Sequence, residues 1–392
     1  MIHLITPEYP PQRGGVAQYT RQLAAELARV GEDVHVWCPA GGTGDHRDPH
    51  AVHPELGRLR WFDLRKAGDL LDRHPAPRRL LVQWVPHGYG CRAMNLPFCW
   101  WLWRRAMAGD EVELMVHEPF VEFTGASVAQ NAVAAVQRAM AMVLLNAVRR
   151  VWTAIPAWEP LLRPFAIGRR VPFAWLPIPN SLSEAGQDAV NAVRAALLGR
   201  ATGIVGHFGS YGALVTPQLT AAIDAIARRS PDVRFHLVGA GSESFRTQLL
   251  VRLPRLDGRV SASGPLEPQD LAAHIAACDV LLQPYPDGIS SRRTTAMAGL
   301  ALGVPVVTTT GRLTEPFWET SGAVRLSAVA DAAGLAEQTV ALLDDEGELA
   351  RMADAARGLY DRAFDVRHVV RALTGVRPAP APDGALTAGE TR

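Results

Sequence analysis

The sequence predicts an α/β protein with two doubly wound parallel-sheet domains. Short apolar runs alternate with segments of helical periodicity, and the same alternation starts again near residue 203. The runs are nearly continuous in Val, Ile and Leu, which is typical of strands buried on both faces of a parallel sheet. The chain has 392 residues, which exceeds one ordinary core and predicts about two domains.

The first half opens with a strand, a helix and a second strand. An apolar run at 2–5 is followed by a Pro- and Gly-rich loop, a helical pattern at 16–31 and an apolar run at 33–37. A connection of this kind forms a right-handed βαβ unit with parallel strands. The same half has predicted strands at 78–87 and 112–119 and a predicted helix at 127–150.

The second half repeats this order of elements. Pro217 lies in the first turn of one predicted helix, where its missing N–H has no intrahelical partner to lose. Two prolines and a polar turn at 173–186 interrupt the pattern and predict the joint between the domains. The predicted elements are strands at 203–209, 233–241, 260–264, 280–286 and 304–309, and helices at 216–231, 268–279, 294–301 and 330–345.

Composition excludes several functional classes. Hydrophobic residues make up 48% of the chain and charged residues 20%, as in a folded globular protein. The net charge of +1 gives no field that would select nucleic acid. The four cysteines have no CxxC spacing and predict reduced thiols. No targeting segment is evident, and no run approaches the roughly 18 apolar residues of a membrane span, so we expect a cytoplasmic protein.

An aromatic run, "LPFCWWLWRR" at 96–105, has two interpretations. A buried or groove-lining helix is the more common explanation of such a segment. The alternative is a helix that lays its tryptophans, with Arg104 and Arg105, on the inner face of a membrane. The second interpretation would make the protein peripheral to the membrane.

Arg292 and Arg293 stand directly before an apolar helix pattern that begins near Ala296. A helix N-terminus carries partial positive charge, so two cations are unfavourable there by a few tenths of a kcal/mol each. An anionic ligand at this position would explain both arginines.

Six segments resemble the GT-B glycosyltransferases of family 4. They are "PEYPPQRGGVAQYTRQLAAEL", "VHEP", "LPIPNS", "FHLVGAG", "GPLEPQDLAAHIAACDVLLQPYPDG" and "TTAMAGLALGVPVVTT". The resemblance implies two Rossmann-like domains that face each other across a cleft. It also implies retaining transfer of a hexose from a nucleotide-diphosphate sugar, without a metal ion or another cofactor. The acceptor hydroxyl would belong to a glycan, a lipid-linked sugar or a small molecule.

The resemblance divides the chain into four parts. Residues 1–175 would bind the acceptor and 176–354 the donor. A last helix at 355–374 would cross back to the N-terminal domain, and the Pro-, Ala- and Gly-rich tail at 375–392 is predicted to be disordered. Acceptor choice would lie in the loops at 41–60, 86–105 and 119–130.

In the N-terminal half the candidate site residues are Gly14, Gly15 and His117. The two glycines lie between the first strand and the first helix, where backbone N–H groups can approach an anion or a sugar. A tight turn that needs positive φ is the alternative. His117 ends a strand and would hold the hydroxyls of the donor sugar, whereas a satisfied core histidine is the alternative.

In the C-terminal half the family's Glu-x7-Glu element is altered. Asp287 takes the first position, where it would accept sugar hydroxyls, and neutral Thr295 takes the second, which weakens ribose recognition. We also expect the donor to contact two further loops and the segment that follows Asp287. These residues are Gly239, Gly241, Leu266, Gly288, Ile289, Ser290 and Ser291.

The family's Arg and Lys after the first strand of this domain are missing from 207–219. We predict that Arg292 and Arg293 replace them as a diphosphate clamp. In the alternative, one arginine is solvated and the other pairs with Glu315. These departures leave open a second function, a GT-B-fold subunit that has lost catalysis and binds a sugar or a partner protein.

Overall fold

The structure, a computed structural model, describes residues 1–12, 14–44 and 48–375. It divides into two compact units, and the break falls between Ile178 and Pro179, inside the predicted joint. Every strand pairing described is parallel, which confirms the predicted fold class. The tail at 375–392, which is predicted to be disordered, lies outside the described residues except for Gly375.

The first unit contains a seven-stranded sheet in the order β3-β2-β1-β4-β5-β6-β7. Its core includes Leu4, Leu23 and Met115, which are fully buried. The strands are β1 Ile2–Ile5, β2 Val34–Pro39, β3 Ala51–Gly57, β4 Arg79–Trp84, β5 Glu111–Val116, β6 Arg150–Thr153 and β7 Phe173–Trp175. The helices are α1 Gly15–Arg29, α2 Trp61–Leu71, α3 Leu96–Met107, α4 Val128–Leu145 and α5 Trp158–Leu162.

The second unit contains a six-stranded sheet in the order β10-β9-β8-β11-β12-β13. Leu219, Phe235 and Leu282 lie at the centre of its core. The strands are β8 Gly203–Phe208, β9 Val233–Val238, β10 Val260–Ala262, β11 Val280–Gln283, β12 Val306–Thr310 and β13 Val324–Ala328. The helices are α6 Gln187–Leu198, α7 Thr216–Arg229, α8 Ser242–Arg252, α9 Pro268–Ala276, α10 Thr294–Ala301, α11 Phe317–Thr320, α12 Ala332–Leu343 and α13 Glu346–Leu359.

The predicted last helix at 355–374 is two helices. Helix α13 ends at Leu359, a π-helical turn covers Tyr360–Phe364, and α14 covers Val366–Thr374. Helix α14 belongs to the first unit, where Val369, Val370 and Leu373 join the core. A continuous helical pattern hid this break because each part keeps its own apolar face.

Two other expectations about the first unit are corrected. The segment 41–60 is not only a loop, because its second half is β3, an edge strand that His53, Pro54 and Glu55 disguise. The expectation that no segment could span a membrane also fails on length and composition. Helix α4 has 18 residues with a mean hydropathy of 1.3, although such a helix is weak evidence of a span because core helices pass the same test.

Glu113 is the centre of a buried polar network in the first unit. Its carboxylate accepts hydrogen bonds from Arg79, Arg149 and Trp152. Burial opposes ionisation, but the bonds from Arg79 and Trp152 outweigh it and lower the pKa of Glu113. Arg79 also donates to the carbonyl of Leu373, which ties α14 to β4.

Each unit buries two histidines that stay neutral in the folded state. Burial lowers the pKa of His3 and of His117 to about 3 in the first unit. In the second unit burial lowers the pKa of His207 and of His236 to about 4. An unfolded histidine has a pKa of about 6.5, so the unfolded chain takes up protons first as the pH falls.

We therefore expect the free energy of unfolding to decrease as the pH is lowered from 6.5 to about 4. Each such histidine contributes up to about 1.4 kcal/mol per pH unit, because only the unfolded state is protonated in this window. Urea unfolding between pH 7.5 and pH 4.5 measures the effect. His236→Gln should reduce the pH dependence, whereas His87→Gln, at a well-exposed side chain, should not. Equal unfolding midpoints at pH 7.5 and pH 5 would contradict this account.

Candidate functional site

Loops at the carboxyl ends of parallel strands bind ligands in open α/β sheets. In the first unit such loops follow β1, β4 and β5, and they hold Gly14, Gly15 and His117. In the second unit they follow β8, β9, β10, β11 and β12, and they hold the remaining candidate residues.

His117 directly follows β5 and is almost fully buried. Its Nε2 lies 2.9 Å from Oε1 of Gln83 in the neighbouring strand β4, and its ring packs edge-on against Tyr19 of α1. The side-chain oxygen of Gln83 accepts a hydrogen bond, so the Nε2 of His117 carries the proton and its Nδ1 carries the lone pair. A neutral imidazole in this tautomer can accept a hydrogen bond from a hydroxyl at Nδ1.

Two polar atoms around His117 have no partner among residues 1–12, 14–44 and 48–375. They are Nε2 of Gln83 and the hydroxyl of Tyr19, and both are buried. Buried polar groups in native proteins are nearly always hydrogen-bonded, to water or ligand if not to protein. Neither residue was predicted from the sequence. Their signal was position: Gln83 lies one residue before the end of a buried strand, and Tyr19 lies on the helix that follows the glycine pair.

Gly14 and Gly15 begin α1, but neither has positive φ, so the tight-turn explanation fails. Gly14 is extended, and a Cβ there would meet the Glu8 carboxylate at 2.1 Å. Oε1 of Glu8 accepts the N–H of Ala17 at 3.0 Å, so a carboxylate of the chain itself caps this helix. Gly15 has open space above its Cα, so a ligand can approach its backbone closely.

In the second unit, the loop after β11 concentrates charge. Both Arg292 and Arg293 donate to the carboxylate of Asp287, Arg292 to Oδ2 at 2.6 Å and Arg293 to Oδ1. The three side chains are each less than a quarter exposed. Asp287 thus lies between the two arginines, and these three groups carry a net charge of +1.

Arg293 is further held by an aromatic ring. Its guanidinium lies 4.6 Å from the centroid of Tyr285, and its Nε is buried without a hydrogen-bond partner. The Tyr285 hydroxyl bonds Oγ1 of Thr295 at 2.7 Å. Thr295 therefore positions the ring beneath the arginine, a role that the Glu-x7-Glu comparison did not indicate.

The two serines of this loop have different environments. Ser291 donates from its N–H and its hydroxyl to Glu315, which also accepts from Trp318. Burial raises the pKa of Glu315, and the hydrogen bonds from Ser291 oppose that shift. Ser290 is fully buried, and its Oγ has no partner in the part of the chain that the structure describes.

Backbone contacts fix the path of the same loop. Gly288 has φ of 87°, and a Cβ there would lie 2.4 Å from the backbone N of Gly311. Only glycine fits this contact. Ile289 is fully buried and donates its N–H to the carbonyl of Thr309 in β12. The loop is therefore attached to the sheet along its length, which limits how far Asp287 and the arginines can move.

The loops after β8, β9 and β10 provide backbone and neutral groups. Gly239 and Gly241 both have positive φ, and Gly241 is the N-cap residue of α8. Leu266 lies partly buried in the loop before α9. Tyr211, in the segment where the family has a cation, donates its hydroxyl to the carbonyls of His207 and Val238. It closes the loop and brings no charge.

Among residues 1–12, 14–44 and 48–375, no group of three or more His, Cys, Asp or Glu side chains is arranged to hold a metal ion. The chemistry that the described side chains offer consists of hydrogen-bond donors, one carboxylate and two guanidinium groups after β11. In the first unit it consists of a neutral imidazole with Gln83 and Tyr19.

The whole chain has the fold of solved GT-B glycosyltransferases. It is similar to sucrose-phosphate synthase from Thermosynechococcus elongatus, with a TM-score of 0.71, 18% identity and coverage of 96% of this chain and 98% of that one. It is also similar to Anabaena Alr3699/HepE, solved with UDP and glucose, with a TM-score of 0.68, 18% identity and coverage of 96% of this chain and 98% of that one. A third similar structure is WaaG, a glycosyltransferase involved in lipopolysaccharide biosynthesis. Its TM-score is 0.66 at 15% identity, with coverage of 96% of this chain and 100% of that one. At these identities the likeness shows the fold alone.

Sequence comparison adds a result for the second unit. No curated protein matches this chain significantly. Residues 203–345, however, match the family described as Glycosyl transferases group 1, and this stretch contains Asp287, Arg292 and Arg293. The second unit of this protein therefore carries a glycosyltransferase group 1 domain.

Proposed function

We propose that the protein is a retaining glycosyltransferase of family 4 that moves a hexose from a nucleotide-diphosphate sugar to a hydroxyl acceptor. The bond between the anomeric carbon and the diphosphate oxygen breaks, and a bond from that carbon to the acceptor oxygen forms with the same configuration. The proton of the acceptor hydroxyl passes to the departing diphosphate. The leaving group is a diphosphate, which gains negative charge as it departs. Cationic groups placed at the diphosphate therefore stabilise the transition state.

The ion cluster of Asp287, Arg292 and Arg293 supports this proposal most strongly. It lies at the carboxyl end of β11, within the glycosyltransferase group 1 domain. The carboxylate neutralises one of the two positive charges and leaves one for an anion. A diphosphate can take over part of the interaction that Asp287 makes in this structure, because guanidinium groups bind phosphate as they bind carboxylate.

Several buried atoms at the end of β11 and in the loop after it have unmet hydrogen-bonding capacity among the described residues. They include Oε1 of Gln283, the last residue of β11, Oγ of Ser290 and Nε of Arg293. A bound nucleotide sugar, or water ordered around it, would provide hydrogen-bond partners for these atoms. Anabaena Alr3699/HepE, one of the structural neighbours, binds UDP and glucose. We therefore assign a uridine nucleotide sugar as the first donor to test.

His117 would serve the sugar. Its neutral Nε2–H is engaged by Gln83, and Nδ1 can accept from a sugar hydroxyl. We assign it a positioning role and not that of a nucleophile. The proposed reaction uses no metal ion and no cofactor, because the arginines supply countercharge for the phosphates. We also propose that the protein is cytoplasmic.

The second candidate function is a GT-B-fold subunit without catalysis. One observation favours it: Asp287, which we assigned to the donor sugar from the sequence, is bonded to both arginines in this structure. If that arrangement persists with donor bound, Asp287 cannot also hold the sugar. The two functions differ in turnover and not in binding, so they are separated by measuring both.

A thermal-shift screen with EDTA present tests the proposed function. A ligand at 100 times its Kd stabilises the protein by about 2.7 kcal/mol, so we expect a rise of several degrees in the midpoint with one nucleoside diphosphate and its sugar. The same sugar nucleotide should then be consumed, with release of nucleoside diphosphate, in the presence of an acceptor. Stabilisation without any release would favour the inactive subunit. No stabilisation by any nucleotide would contradict the transferase and leave only a subunit that binds a sugar or a partner protein.

Arg293→Ala should weaken nucleoside diphosphate binding about 10- to 100-fold, because a charge-assisted hydrogen bond contributes roughly 1.5–3 kcal/mol. The uncharged nucleoside should bind as before. Arg293→Lys should restore only part of the loss, since an ammonium lacks the planar fork of donors. Calorimetry measures all three. Arg255→Ala, which removes an arginine paired with Asp224 in the same unit, is the matched control. Unchanged diphosphate binding in Arg293→Ala would refute the clamp.

Asp287→Asn tests whether the carboxylate acts on the sugar or only on the arginines. The substitution removes the negative charge that competes with phosphate, so nucleoside diphosphate should bind as tightly as before or more tightly. Transfer should nevertheless fall at least tenfold, because the arginines and the sugar lose a fixed acceptor. Calorimetry and product formation give the two values. An equal loss of diphosphate binding and of transfer would make Asp287 a purely architectural residue.

A further inference from the structure

We propose that the first unit docks on an anionic membrane through a surface that we name the aromatic rim. This inference goes beyond nucleotide-sugar binding and names the acceptor class, and in that second part it rests on the proposed function. The rim consists of Trp61, Phe62, Leu96, Trp100, Phe123 and Val128.

The rim is exposed although it is apolar. Its six side chains are between 38% and 88% exposed, with Phe62 and Val128 at the upper end. Single exposed apolar residues are ordinary, whereas a group of large ones marks an interaction surface. The sequence indicated only the α3 part of this group, because α2 and the loop before α4 contain too few aromatic residues to be noticed.

Topology brings the rim residues to one edge of the sheet. Helices α2, α3 and α4 follow β3, β4 and β5, so each begins at the carboxyl ends of the parallel strands. Trp61, Leu96 and Val128 are the first residues of these helices. His117 follows β5 at the same edge. The rim therefore lies along the edge of the first sheet that carries the candidate sugar-binding residues.

Rim residues are held in place by neighbours of their own unit. The Trp100 ring stacks on Trp103 with centroids 4.6 Å apart, and the guanidinium of Arg138 lies 4.1 Å from the centroid of Phe123. The opposite face of α3 is anchored in the core by Phe98 and Leu102. Exposed rings that are already fixed lose little side-chain entropy when they enter a lipid headgroup layer.

Basic residues lie beside the α2 and α3 part of the rim, whereas exposed Glu118 and Glu122 lie in the loop that carries Phe123. Between residues 58 and 66 the chain has four cations, Arg58, Arg60, Arg65 and Lys66, which are all exposed, and one carboxylate. That carboxylate, Asp63, accepts the backbone N–H groups of Arg58 and Arg60 at the start of α2. Arg104 adds an exposed cation on α3. The whole chain has a net charge of only +1, so this is a local concentration of positive charge.

Aromatic and basic side chains together match an anionic bilayer. Tryptophan prefers the headgroup region, and each lysine or arginine near an anionic membrane surface adds about 1 kcal/mol, a factor of about five in binding. A rim at the edge that holds His117 would bring the sugar site to the membrane surface. Of the three acceptor classes that the sequence left open, this placement selects the lipid-linked acceptor.

Co-sedimentation of the full chain with vesicles tests the docking surface without any enzymatic readout. We expect binding to vesicles that contain phosphatidylglycerol, at least tenfold weaker binding to pure phosphatidylcholine, and loss of binding at high salt. Arg65→Gln with Lys66→Gln should lower binding about 25-fold. Phe62→Ser with Trp100→Ser should lower it at least tenfold, with a smaller blue shift of tryptophan fluorescence on vesicle addition.

Matched substitutions in the second unit serve as controls. Val251→Ala and Arg252→Glu change exposed residues of α8 and should leave vesicle binding unchanged. Absence of binding by the parent chain, or equal loss in the control variants, would overturn the proposal. Loss of a dimer in Phe62→Ser with Trp100→Ser, without vesicle binding by the parent, would assign the rim to a second copy of the chain. Vesicle binding without transfer to a lipid-linked acceptor would support the docking surface and overturn the acceptor assignment.

Discussion

The charges buried in the loop after β11 constrain the whole second unit. Two guanidinium groups and one carboxylate are removed from most of the solvent, and each would be costly there alone. Their mutual bonds make the arrangement tolerable, and Tyr285, Thr295 and the contact of Gly288 with Gly311 keep the loop in position. Asp287 neutralises one of the two arginine charges, so the cluster keeps one positive charge in excess. An anionic ligand can therefore replace part of the pairing between the arginines and Asp287.

The first unit uses a different kind of preparation at the equivalent edge of its sheet. His117 is neutral because it is buried, and Gln83 determines which of its nitrogens carries the proton. Glu8 caps the helix whose N-terminus otherwise would attract an anion. The first unit therefore offers neutral hydrogen-bonding groups, whereas the second offers positive charge.

The position of the aromatic rim follows from the same sheet topology that positions the polar site residues of the first unit. The same strand-to-helix junctions that carry polar residues toward a ligand also carry apolar residues outward at the first turns of α2, α3 and α4. In a parallel sheet all these junctions share one edge, so a membrane contact and a sugar site can be built beside each other without any additional domain. The arrangement follows from topology and not from a special sequence motif.

Much of the fold could be predicted from the sequence because apolar runs and helical periodicity report burial directly. The strands that pack in the sheet centre, such as β1, β8 and β11, are apolar enough to be recognised, and the parallel pairing followed from the alternation of elements. The edge strand β3 and the break between α13 and α14 were missed, since edge strands carry polar residues and each of the two helices has an apolar face at helical spacing. Sequence also indicated that Asp287, Arg292 and Arg293 belong to one segment. Only the tertiary structure decided that Asp287 bonds both arginines, that Gln83 orients His117 and that Glu8 fills the glycine-rich turn, because the partners of a side chain depend on which distant residues folding brings within a few ångströms.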